Sequence, residues 1–439
     1  MNTTIRNSFS IFLLVLIAGF LQADQNLLAP NFPIIMQEFN ITEKELGYVT
    51  SAFVFISAFM TVVWGMLSDF QTRKLLLLVG ILVGEIPCLL TAFVSNFWEL
   101  FLMRMLTGIG IGSIIPIGYS LIADFFYGEE RGKGYSYIET AFGFGTLMGM
   151  IMAGLIKDWR LPFIIAAVPN LILAPLFYII TKEPKRGQAE KELEEVLKET
   201  DIQFKFNLEA LKKSFLTKTN QWIFLQGFFG TVPWGIITTW FISYFIYVYG
   251  MSKDTATFVL LFIGVAAVFG SFVGGFLGDY FEKRSEGGRT FVAGWGVLIG
   301  MLASVGLLLY PFPSQLSSIH YLGMFIYAVL FIQFVSFAGP NVRAIISQVN
   351  LPEDRGTVFG IFNIMDNIGR AIGPLIGGLL IFYLEKNYTK ETSYLITMLF
   401  GIAFWIPCGL IWFYIKKIYL NDRNHIKIIL RERAKELNK

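Results

Sequence analysis

Twelve apolar runs, each long enough to cross a lipid bilayer as a helix, leave this chain few ways to fold. A membrane-crossing helix needs about 20 mostly apolar residues. The runs fall near 10–36, 47–68, 75–95, 97–123, 134–156, 162–181, 220–249, 255–278, 290–311, 319–346, 356–383 and 391–415. In hydrocarbon every backbone N–H and C=O must be satisfied within the protein, so only helices and closed barrels span a membrane. These runs far exceed a barrel strand of about ten residues. The expectation is an all-α integral membrane protein of twelve transmembrane helices. Charged residues make up only 15% of the chain, against about 25% in soluble domains. The stretch Ile11–Phe20 followed by Ala23 has the look of a signal peptide, but apolar character continues past Asp24 to Ile35, so it is read as span 1.

Lysine and arginine orient the spans. With the N-terminus in the cytoplasm, 26 of the 35 cations fall in inside segments, six fall outside, and Arg104, Arg343 and Arg370 lie within spans. Both termini are therefore expected in the cytoplasm, in the cell (inner) membrane. The expected domains are a six-helix half at 1–181, a cytoplasmic linker at 182–219, a second six-helix half at 220–416 and a basic tail at 417–439. The linker, with QAEKELEEVLKETDIQFKF, reads as a solvated connector in one or two surface helices. The tail is either a solvated helix or one lying on anionic lipid. A net charge of +3 makes no case for nucleic acid. Cys88 and Cys408 both fall in apolar runs, so a disulfide framework is not expected. His320 and His425 lie near loop or tail positions, and no metal or cofactor is expected.

The two halves repeat one another. At an offset of 210, GMLSDFQTRK falls on GFLGDYFEKR, setting Gly65, Asp69, Arg73 and Lys74 against Gly275, Asp279, Lys283 and Arg284. At an offset of 224, Pro116, Arg131, Gly132, Gly145, Gly149 and Gly154 fall on Pro340, Arg355, Gly356, Gly369, Gly373 and Gly378. Chance matches of glycine are cheap in such a chain, but charges at fixed spacing are not. Six spans, a linker and six spans form a parallel duplication.

With Gly65, Asp69, Arg73 and Lys74 standing as G-x-x-x-D-x-x-x-R-K after span 2, the chain resembles the major facilitator superfamily over essentially its whole length. The resemblance implies alternating access by two pseudo-symmetric halves, and a monomer. Gly65 lets helices approach; Asp69 caps a helix or pairs with a cation across the interface between halves; Arg73 and Lys74 pair with carboxylates. The set would hold the inner face shut in one state and release it in the other, and it also anchors topology. Phe70 stands where that pattern usually has arginine, so one charge contact is missing.

Ionisable residues inside spans are costly and are functional candidates by default. Arg104 with Gly108 and Gly110 matches the superfamily's R-x-x-x-G-x-G pattern in span 4. Arg104 lies roughly 10 Å from the outer end of its span and Asp24 roughly 20 Å from the inner start of span 1, at 1.5 Å per residue. These similar depths predict an ion pair, either a proton-exchanging one or a static lock. Glu85 sits in mid-span 3 and is a proton-coupling candidate, as is Asp366 in span 11. Glu139 in span 5 reads as structural, paired with loop cations. Asp366 and Arg370 are four apart and are expected to pair within their helix; both also stand to line a cavity. Arg343 is expected to snorkel. Gly145 and Gly149 in span 5, and Gly373 and Gly377 in span 11, are helix-packing positions. GRAIGPLIGG resembles an antiporter motif that in drug antiporters belongs to span 5, whereas here it lies in span 11.

The stretches ADQNLLAPNFPIIMQEFNITEKELGYVTSAFVF, RMLTGIGIG and TKEPKRG resemble the spinster-type branch, which is associated with export of sphingolipid phosphates and lysophospholipids and, in some members, with proton coupling. Two positions depart from it. Gln25 replaces the usual arginine after Asp24, and Ile111 replaces the usual glutamate in span 4. Cavity candidates are Gln25, Tyr119, Trp234 and Arg370; most other aromatics read as interfacial belts or packing. Abundant aromatics with few fixed charges favour an amphipathic substrate over a sugar. The reading is a proton-coupled secondary transporter that works in contact with membrane lipid. Its alternatives are an organic-anion symporter using Arg104 and Arg370, or a non-transporting receptor on the same fold. No nucleophile–base set or G-x-x-x-x-G-K-[ST] loop supports an enzyme or ATP-driven pump.

Overall fold

The computed structural model describes residues 3–126, 131–184, 215, 217–311, 318–351 and 355–437. The expected linker at 182–219 lies mostly outside the described residues. Among those described, every regular element is helical. Twelve helices or helix pairs are long and apolar enough to cross a membrane: Arg6–Phe39, Glu43–Ser68, Arg73–Thr91, Phe97–Phe125, Gly134–Leu155, Leu161–Ile180, Lys218–Tyr249, Lys253–Arg284, Gly288–Leu308, Leu322–Val349, Val358–Leu384 and Lys390–Ile429. They are called spans 1 to 12 in that order. The chain is an integral membrane protein.

Two compact units form, Met1–Lys205 with Ser252–Phe258, and Phe206–Met251 with Val259–Lys439. In the first, span 1 packs on spans 5 and 6, and span 3 packs on spans 4 and 6. In the second, span 7 packs on spans 11 and 12, and span 9 packs on spans 10 and 12. The same four pairings thus recur six spans apart.

The duplication is also written in finer detail. A Cβ added at Gly65 would lie 3.5 Å from Pro116 Cβ, and one at Gly275 would lie 3.4 Å from Pro340 Cβ. These two contacts join the 210-offset stretch to the 224-offset stretch, although 14 extra residues separate the stretches in the second half. Phe55, Phe59, Val62 and Met66 form an exposed apolar stripe on span 2. Their 210-offset counterparts Val265, Phe269, Phe272 and Phe276 form one on span 8. Span 4 breaks at Gly112–Ser113 and span 10 at Ser336–Phe337, again 224 apart. A Cβ at Gly112 would press on Ser57 O and Thr61 N of span 2, at 2.8 and 2.9 Å.

Local chemistry explains the element ends. Thr42 and Glu45 form a capping box that starts span 2, with the Thr42 N–H donating to Glu45 Oε2 at 2.9 Å. Asn40, at φ 52°, closes the preceding helix in the left-handed conformation that asparagine tolerates.

The 417–439 segment continues the helix that begins at Trp405 and runs to Leu437. It is pinned to its own unit. Arg423 donates to Glu282 at 2.6 Å and to Glu286 at 3.0 Å. Asp422 accepts from the backbone N–H and hydroxyl of Thr219 at 2.9 and 2.6 Å. The first half carries a counterpart of opposite polarity: Arg73, which opens span 3, binds Glu183, beyond span 6. In the second half the acids precede span 9 and the arginine lies near the end of span 12. Arg423→Ala is expected to cost about 2 kcal/mol, the worth of a hydrogen bond to a charged, largely buried partner, here Glu282. Thermal unfolding of the purified protein reads it, and a melting temperature equal to wild type would contradict the clamp.

Candidate functional site

Each unit holds a group of polar side chains within its spans. In the first, Asp24 is the last residue of the helix Thr3–Asp24, where span 1 breaks. A carboxylate there meets the negative end of the helix dipole, and it is 0% exposed. Its compensation is Arg104 of span 4, whose Nη1 donates to Asp24 Oδ1 at 2.8 Å. Arg104 is 2% exposed, and its guanidinium stands 4.6 Å from the Phe53 ring and 5.5 Å from the Phe163 ring. The pair is monodentate. Asp24 Oδ2 and Arg104 Nε are buried without a partner.

Glu85 of span 3 is also 0% exposed. Its Oε1 accepts from Asn170 Nδ2 at 2.6 Å, while Oε2 has no partner. Asn170, in span 6, also reaches Ile17 O at 3.4 Å, about two turns before Asp24. Asp24 and Arg104 both act electrostatically on Glu85. The group therefore contains two carboxylates and one guanidinium in a dry interior. Fully ionised, it carries an uncompensated negative charge, which burial makes expensive.

The second unit contains a cavity of about 250 Å³. Trp234, Trp405 and Phe362 form its aromatic wall, and Gln226, Asp366 and Arg370 bring polar groups to it. The Trp234 and Trp405 rings meet edge to face, with centroids 6.1 Å apart. Trp405 is oriented by its Nε1–H, which donates to Gly230 O at 3.0 Å. The expected ion pair between Asp366 and Arg370 does not form. Asp366 Oδ1 is buried with no partner, while Arg370 is exposed. The four-residue spacing puts both on one helix face, but the shorter aspartate turns inward and the longer arginine runs outward.

The other predicted residues fall elsewhere. Gln25 is exposed and donates to Gln22 Oε1 at 3.1 Å. Tyr119 donates its hydroxyl to Glu139; the side chains of the loop cations Arg131 and Lys133 lie outside the described residues. The Asp69 side chain lies outside the described residues. Arg73 is 1% exposed and bonds Asp124, Ser120 and Pro184 O besides Glu183, all within its own half. The Lys74 side chain reaches Thr181 O at 3.5 Å and the Tyr178 ring, and its backbone N–H donates to Glu183 Oε2 at 3.4 Å. Asp279 pairs with Arg289. Lys283 and Arg284 are exposed, Arg284 lying 4.2 Å from the Tyr280 ring. Gly108, Gly110, Gly145 and Gly149 each lie against the backbone of a neighbouring helix, as does Gly373; Gly377 lies against the Trp240 ring. Trp240 and Tyr244 are 0% exposed and pack inside the second half.

Sequence reasoning missed Asn170, Gln226 and Trp405. A signal existed for the first two, since each is an amide inside an apolar span. Trp405 is one aromatic among many, and nothing local marks it.

These features can be set beside known proteins. The sequence profile of the Major Facilitator Superfamily matches residues 14–337 and 287–427. The chain belongs to that superfamily. Its members are transporters rather than enzymes, and the twelve spans and duplicated halves of this chain agree. It is 31% identical to protein spinster homolog 1 of Xenopus laevis over 204 residues, which are 45% of this chain and 38% of that protein. The match therefore spans well under half of that relative's length. It is 24% identical to quinolone resistance protein NorA of Staphylococcus aureus over 380 residues, covering 85% and 88% of the two chains. Among solved structures, a bacterial homologue of the human lysosomal transporter Spinster, inward-facing and unoccupied, superposes with a TM-score of 0.82 at 18% identity, over 95% and 98% of the chains. A D-xylose–proton symporter superposes at 0.65 and 16% identity, over 90% and 97%. At these identities the structural likeness is one of fold.

Proposed function

We propose that this facilitator is a proton-coupled secondary transporter of an amphipathic organic molecule, working by alternating access as a monomer in the cell membrane with both termini in the cytoplasm. The observation that carries the proton coupling is the imbalance of charge at Asp24, Glu85 and Arg104. Two fully buried carboxylates facing one guanidinium are stable together only with one more positive charge. A proton supplies it without requiring space. The unpartnered oxygens, Asp24 Oδ2 and Glu85 Oε2, are where it can sit. A proton on Asp24 weakens its hold on Arg104 and leaves Glu85 as the charged partner; loss of that proton restores the Asp24 bond. Asp24 lies at the break in span 1, so the exchange acts where that helix is least constrained by its own hydrogen bonds.

The amphipathic substrate rests on the aromatic wall of Trp234, Trp405 and Phe362. The name of one relative, a quinolone resistance protein, agrees with such a substrate without fixing a compound. Arg370, exposed at the second-half cavity, favours organic anions as a second reading. Liposomes containing the purified protein, challenged in turn with a lysophospholipid, a lipophilic amine and an organic anion, test the reading. Substrate-dependent proton movement with one class is expected. Binding of a compound with no flux of it or of protons would instead support a receptor.

A further inference from the structure

We infer that the cavity in the second half is a seat for a protonated amine, the cationic head of the transported molecule. The inference rests on the transport reading for its physiological meaning, but not for its test. Asp366 and Gln226 line the cavity, and each carries a buried oxygen without a donor, Asp366 Oδ1 and Gln226 Oε1. Both are acceptors, and one belongs to a carboxylate. A buried acceptor left unpaired costs about 1–3 kcal/mol, more when it is charged. No described cation forms an ion pair with Asp366; Arg370 and Arg343 act on it only from a distance, and both are exposed.

What would complete the site is a ligand with positive charge and N–H donors. The walls suit such a group. Trp234, Trp405 and Phe362 offer aromatic faces and edges, and a cation gains by lying over the faces. Room at the carboxylate is kept by Gly227, where an added Cβ would collide with Asp366 Oδ1 and stand 2.9 Å from the Phe362 ring. The volume of about 250 Å³ fits an amine head with a small ring system. Chemistry also separates this seat from the group around Asp24. There the acids face a resident arginine, so a bare proton completes the site. Here an acid and an amide line a cavity with no described cation paired to them, so a whole donor group completes it.

Equilibrium binding to the purified full-length protein tests the assignment, read by tryptophan fluorescence or calorimetry at neutral pH. Three probes share one naphthalene ring: 2-(1-naphthyl)ethylamine, its N,N,N-trimethyl derivative and 1-naphthylacetate. The amine is expected to bind best. Asp366→Asn is expected to weaken the amine by about 10- to 100-fold, the loss of a charged hydrogen bond. Gln226→Leu is expected to weaken it less, and the trimethyl derivative, which has no N–H, is expected to bind wild type weakly. Each variant is first checked for an unchanged melting temperature; Asp366→Glu, which keeps the charge, is expected to retain part of the affinity. Amine binding equal in wild type and Asp366→Asn would overturn the proposal. So would a trimethyl derivative bound as tightly as the amine, or naphthylacetate as the preferred probe. None of these results depends on proton flux, so failure of this seat and failure of the transport reading are separately visible.

Discussion

Replacing Arg104 with alanine is expected to lower the stability of the folded protein by about 3–5 kcal/mol, because it strands a buried charge. The side chain is held between the Phe53 and Phe163 rings and bonds Asp24 at 2.8 Å. Its removal leaves two carboxylates with no cation, and both must then take protons to remain inside. Those protons are no longer exchangeable, so transport is lost as well. The prediction has an internal control. If the cost comes from stranded charge, Asp24→Asn added to Arg104→Ala should return part of the stability, and the double-mutant cycle should show coupling of about 0.5–3 kcal/mol. Denaturation of the purified variants measures it. Strict additivity would mean that Arg104 matters only for the space it fills.

Arg73→Ala is expected to be about as damaging, at about 3–5 kcal/mol, for a different reason. Arg73 opens span 3 and ties it to the end of span 4 through Asp124 and Ser120, and to the chain leaving span 6 through Glu183 and Pro184 O. It is 1% exposed, so water cannot replace these bonds. The side chain of Lys74, next to it in the same signature, makes a long hydrogen bond to Thr181 O and a contact with the Tyr178 ring. Lys74→Ala is expected to cost well under half as much. Melting temperatures of the two variants check the ranking, and equal losses would contradict it. The signature cations that resemble a gate in sequence thus include one that fastens its own half together.

The twelve spans were legible because hydrocarbon imposes length and apolarity on every crossing helix. The duplication was legible because charges and glycines recur at fixed offsets, and Pro116 with Gly65, and Pro340 with Gly275, show those offsets meeting in space. The Asp24–Arg104 pair could be anticipated from depth alone, since helix rise converts residue number into position across a bilayer. What failed was anything set by rotamer direction. Asp366 and Arg370 share a face yet part company, because a short side chain and a long one leave the same face differently. Asn170 and Gln226 were overlooked although an amide in an apolar span needs a partner as surely as a charge does.

The measurement that bears most directly on the central claim is substrate accumulation in liposomes under an imposed pH gradient, comparing wild type with Asp24→Asn and Glu85→Gln. Two acids against one arginine hold one extra proton; removing either acid leaves a balanced pair and no proton to exchange. Wild type is therefore expected to accumulate substrate when the gradient is present. Each variant is expected to lose that accumulation while still exchanging labelled for unlabelled substrate across the membrane. Undiminished accumulation by Asp24→Asn or by Glu85→Gln would contradict the account and place the coupling proton elsewhere.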